Sequence, residues 1–61
     1  MTYVKFVNEK GSGITDYNTN LIPRVGEYVQ FPSGKRALVT CVTTVYAHVG
    51  EWTLVTVKVQ E

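Results

Sequence analysis

Apolar and polar residues alternate along most of this chain, and a period of two marks a β-strand with two unlike faces. Over residues 2–8, Val4 and Phe6 share one side, while Tyr3, Lys5 and Val7 share the other. The Glu9-Lys10-Gly11-Ser12-Gly13 run reads as a turn. Residues 14–20 then read as a short edge strand or an irregular loop ending near Asn18. A single helical turn over residues 18–22 leaves the class unchanged. Pro23 holds Ile22 extended, and Gly26 permits a bend before a strand containing Val29 and Phe31. Pro32-Ser33-Gly34-Lys35 signals a hairpin.

Residues 36–46 form one long strand whose parity slips. Ala37, Val39 and Cys41 keep one phase; Val42, Thr44 and Tyr46 keep the other. Such a slip predicts a bulge or sharp bend between Thr40 and Thr43. After a turn at residues 47–51, the closing strand sets Val55, Val57 and Val59 against Leu54, Thr56 and Lys58. The expected core is Val4, Phe6, Val25, Val29, Phe31, Val39, Cys41, Val42, Tyr46, Val55, Val57 and Val59. The fold class expected is all-β: one domain, a strongly bent five-stranded antiparallel barrel.

Length sharpens this reading. Sixty-one residues bury only about 60% of the surface their unfolded chain exposes. Chains this small are often helped by disulfides, a metal or self-association. Cys41 is the sole cysteine and His48 the sole histidine, so neither an internal disulfide nor a common zinc motif is expected. Homodimerisation is therefore expected, by edge pairing or through a patch around Val7, Trp52 and Leu54. The N-terminal residues lack the apolar run of a signal peptide, and a lone thiol suits a cytoplasmic protein.

From Ile22 onward the chain resembles small, uncharacterised phage and mobile-element proteins with an SH3-like small-barrel pattern. The residues carrying it are Ile22-Pro23-Arg24-Val25-Gly26-Glu27-Tyr28-Val29, then Ala37, Val39, Val42 and Tyr46, then the closing valines. The pattern covers about two thirds of the chain and departs at Ala37, where a larger aromatic is expected. Its residues punctuate and pack, so it implies a fold more than an activity. The implied role is a compact module acting on a protein, such as a phage-encoded inhibitor of a host defence protein.

Catalysis finds little footing. Cys41 stands among valines, which makes for a buried, inert thiol, and His48 falls in a turn. The acids Glu9, Asp16, Glu27, Glu51 and Glu61 are scattered over loops and ends. Gly11-Ser12-Gly13 is followed by β-like sequence, whereas a phosphate loop needs a helix. No enzyme, cofactor or metal is expected. Hydrophobic residues are 44% and charged residues 18%, with a net charge of +1, which argues for a folded domain and gives nucleic-acid binding little electrostatic support. The candidate partner-binding residues are Arg24, Tyr28, Lys35, Arg36 and Trp52. Their mix of cations and aromatics also suits the alternative, a small barrel that stacks the bases of a nucleic acid.

Overall fold

The computed structural model describes residues 1–60. Five strands form one sheet: β1 (Thr2–Val7), β2 (Gly13–Thr19), β3 (Tyr28–Gln30), β4 (Arg36–Ala47) and β5 (Gly50–Val59). Their order is β2-β1-β5-β4-β3. No helix occurs among the described residues, including residues 18–22. The sheet curls into a half-barrel. The antiparallel expectation is corrected at one place. β1 and β5 pair in parallel, with Val4 opposite Thr53 and Phe6 opposite Val55, while the other three pairs are antiparallel. Parallel neighbours need a long crossover; here β2, β3 and β4 supply it.

The inner face of the curl holds the core: Val4, Phe6, Phe31, Ala37, Val39, Val55 and Val57, with Val29, Val42 and Val59 against it. Phe6 sits at its aromatic centre. Its ring meets Phe31 at 5.4 Å and Tyr17 at 6.2 Å, both edge to face, a favoured arrangement for aromatic quadrupoles. Ala37 is fully buried opposite Val29 on β3 and Val59 on β5. The small residue fits a position already crowded from both sides, where the sequence pattern asks for an aromatic.

The bulge in β4 lies one step earlier than expected. Val39 faces Val57 and Cys41 faces Thr56, so Thr40 is the extra residue. Its hydroxyl donates to the Thr56 carbonyl at 3.2 Å, which ties the kink down. The insertion returns Val42 to the inner face opposite Val55 and leaves Cys41 on the outer face. Cys41 is exposed and unbridged, correcting its expected burial. Val25 and Tyr46 also leave the expected core, at 63% and 80% exposure. Val25 lies in the linker before β3, and Tyr46 lies near the tip of the β4–β5 hairpin, past the reach of β1. Val7, expected on a surface patch, is buried.

Turns are built from local hydrogen bonds. The Asn8 side chain accepts from the Lys10 and Ser12 amides at 2.9 and 3.0 Å. Gly11 takes a φ of 86° to complete that turn. Between β3 and β4, the Phe31 amide donates to the Lys35 carbonyl at 2.9 Å.

Candidate functional site

β2 and β3 are the two edges of the curled sheet. No Cα of one approaches within 8 Å of any Cα of the other, whereas paired strands lie about 4.8 Å apart. The barrel is therefore open along one seam. A groove of about 1150 Å³ runs there, lined by residues of β2, residues 20–23, β3 and residues 31–34, with Phe6 contributing from β1.

The linker between the edges shapes the groove. Thr19 Oγ1 accepts from the Leu21 amide at 3.0 Å. Glu27 Oε1 accepts from the Arg24 amide at 2.6 Å, and the Glu27 amide donates to the Arg24 carbonyl at 3.1 Å. The Gly26 amide donates to the Val39 carbonyl, and the Val39 amide to the Glu27 carbonyl. These bonds moor the far end of the linker to β4 while Leu21 stands 83% exposed. Leu21, Ile22, Tyr17 and Tyr28 all combine an apolar body with substantial exposure. Among the described residues, Glu27 is the one charged residue lining the groove, and its carboxylate accepts from the Arg24 amide.

The candidate binding residues do not gather at one point. Tyr28 and Arg36 meet: the guanidinium carbon lies 4.8 Å from the ring centroid, a cation–π pair across β3 and β4. Lys35 precedes Arg36 in the same hairpin. Arg24 belongs to the linker beyond the other end of β3. Trp52 is remote. It pairs across β4–β5 with Val45, whereas Arg36 is held by the Gln60 amide at 2.9 Å. Eight residues of β5 separate the two levels, roughly 25 Å at about 3.3 Å per residue.

Trp52 has its own neighbours. Its ring lies 5.7 Å from Tyr3, tilted by 58°. The Tyr3 hydroxyl donates to Asp16 Oδ2 at 2.7 Å. That hydrogen bond, with desolvation and the nearby negative charge adding to it, raises the Tyr3 phenol above its ordinary value of 10.0. Register places Tyr3, Lys5, Trp52, Leu54, Lys58, Leu38, Arg36 and Tyr28 all on the outer face.

Sequence reasoning missed the seam. Tyr17, Leu21, Ile22 and Phe31 line it, and one signal was available: Leu21-Ile22, an apolar pair inside a linker where polar residues are the rule. Among the described residues, no three acidic, histidine or cysteine side chains cluster as metal ligands. No helix is long and apolar enough to cross a membrane. No protein-family model, curated protein or solved structure matches this chain.

Proposed function

We propose that this chain is a non-enzymatic module that works by binding another protein. The supporting observation is the open seam: two strand edges unpaired among the described residues flank a groove of mixed polar and apolar lining. Unpaired edges present rows of backbone donors and acceptors, which invite pairing with another chain. The Tyr28–Arg36 pair and Lys35 lie beside β3 and extend this surface outward. Kinship with SH3-like small barrels, a phage or mobile-element origin, a cytoplasmic setting and inhibition of a host defence protein belong to the same reading, through the Ile22–Val29 resemblance.

The test is capture from a lysate of the host cell by the immobilised chain, with and without nuclease. A protein retained under both conditions, and lost with Leu21→Asp, is expected. Retention that vanishes with nuclease overturns the reading.

One observation favours a second reading, a nucleic-acid-binding barrel. Lys5, Arg36 and Lys58 share the outer face with Tyr3, Tyr28 and Trp52, and among the described residues Asp16 is the one acid there. Cations interleaved with aromatics suit single strands. Affinity for an oligonucleotide would then fall steeply with salt as counterions are released.

A further inference from the structure

Resting on the nucleic-acid reading, we infer that the convex outer face of the sheet binds a short single strand of nucleic acid laid along β5. Its bases stack on Trp52 and Tyr28, and its phosphates meet Lys5, Lys58 and Arg36.

The near-neutral total charge conceals an uneven distribution. Three of the six cations, Lys5, Arg36 and Lys58, lie on the outer face. Among the described residues Asp16 is the one acid there. It sits at the β2 edge, and its Oδ2 accepts the Tyr3 hydroxyl at 2.7 Å. Glu9 falls in the β1–β2 turn and Glu27 in the linker. Glu51 precedes Trp52 on β5 and so points to the opposite side. The outer face is therefore positive, although the molecule as a whole is almost neutral.

Register turns these residues into a track. Lys5, Leu54 and Thr43 stand side by side across β1, β5 and β4. Four residues farther along β5, Lys58, Leu38 and Tyr28 form a second row across β5, β4 and β3. Arg36 lies just beyond, with its guanidinium carbon 4.8 Å from the Tyr28 ring centroid. At the other end Tyr3 and Trp52 stand together, their centroids 5.7 Å apart. Tyr3 and Tyr28 are exposed, and Trp52, Leu54 and Leu38 are half-buried, so aromatic and aliphatic surface separates the cations. Trp52 to Lys58 spans roughly 20 Å at about 3.3 Å per residue. At about 3.4 Å per stacked nucleotide that is about six nucleotides, or fewer when stretched. Small barrels cover roughly 4–16.

Curvature and charge choose the occupant. A second copy of this chain would set three cations against three, with one described acid on each side. A duplex hides the faces of its bases and stays stiff over about 150 base pairs, so it touches a convex face only along a line. A flexible single strand follows the curve, offering flat rings to the aromatics and a phosphate to each cation.

The probe is oligothymidine of about twelve nucleotides, compared with its duplex and with polyglutamate. Trp52 is the sole tryptophan, so its fluorescence reports contact at that end of the track. Expected are quenching by oligothymidine and weaker binding of the duplex. Log affinity should fall against log salt with a slope near about −2, at about −0.7 for each of three phosphate contacts. By anisotropy of a labelled strand, Trp52→Leu should bind about tenfold more weakly. Lys58→Gln, at an exposed position, should keep its circular dichroism and lose about 0.7 of the slope. Lys10→Gln, in the β1–β2 turn, should stay within about twofold of the parent chain. Oligothymidine binding indifferent to both Trp52→Leu and Lys58→Gln overturns the outer-face site and leaves the nucleic-acid reading standing. A duplex bound as tightly as the single strand overturns base stacking. So does equal quenching by polyglutamate, since an acidic protein surface would then suffice. No oligothymidine bound at low salt overturns the inference and the nucleic-acid reading together.

Discussion

The β4–β5 hairpin has a root and a tip made of the same kinds of residue, and they lead different lives. At the root, Ala37, Val39, Val55 and Val57 are almost wholly buried. At the tip, Tyr46 and Val49 are almost wholly exposed, although beyond the Thr40 bulge strand pairing continues to Ala47 opposite Gly50. Hydrogen bonding is equivalent at both ends. What differs is cover: β1 pairs with β5 only from Thr53 to Thr56, and Phe6 and Phe31 pack over the root. β-propensity makes the hairpin, whereas burial depends on what lies across the curl.

The contrast is broken most forcefully at the root. Val39→Ala should cost about 2–3 kcal/mol, as lost transfer energy plus a cavity. Against a total of roughly 3–9 kcal/mol for a chain this size, that is a large share, and urea unfolding measures it.

Deleting Thr40 probes the boundary between root and tip. Without it, Val39, Cys41 and Val42 fall into simple alternation opposite Val57, Thr56 and Val55. The fold should survive with a loss of about 1 kcal/mol, since one bulge bond disappears. Cross-strand NOEs should retain all three pairings. A scrambled register would mean that the bulge does more than bend the strand.

Tyr3 tests the outer face beside Trp52. Its phenol holds its proton more tightly in the folded state than in the unfolded chain. The resulting stabilisation is complete below pH 10 and is lost as pH rises through the higher folded value. Ultraviolet titration should show one tyrosine ionising late, and Tyr3→Phe should remove it.

At the tip, Tyr46→Ala should change stability by less than about 0.5 kcal/mol. Cys41 gives the smallest effect of all. A thiol reagent should label it in the native protein as fast as in the urea-unfolded chain, with no shift in the unfolding midpoint.

Much of the fold was legible from alternation alone. The hairpin signal at Pro32–Lys35 and the closing valines located β3, β4 and β5, and Val4 with Phe6 marked the core face of β1. The errors have different causes: the Thr40 bulge turns Cys41 to the outer face, Val25 falls in the linker before β3, and Tyr46 lies on a face whose cover ends before the hairpin tip. The parity slip in β4 revealed that an extra residue exists without revealing which one, because Thr40 and Cys41 both satisfy the count. The candidate site was less visible. A seam exists only where two strands fail to meet, and no local pattern records a missing contact. The parallel β1–β5 pair was invisible for a related reason: it joins positions almost fifty residues apart.

That pair also governs how the chain must assemble. The β1–β2 hairpin and the β3–β4–β5 meander are each local, and each can form within microseconds of closing its turns. Among the described residues, the backbone pairing between these halves runs through β1 and β5. The halves therefore condense in a single long-range event, and its loop-closure entropy sets the folding rate. Cleaving the chain in the linker between β2 and β3 would leave two pieces that share one seam of backbone bonds and one valine-rich core. Mixed together, they should find each other in a second-order reaction, turning the slow step of folding into a bimolecular association whose rate scales with concentration.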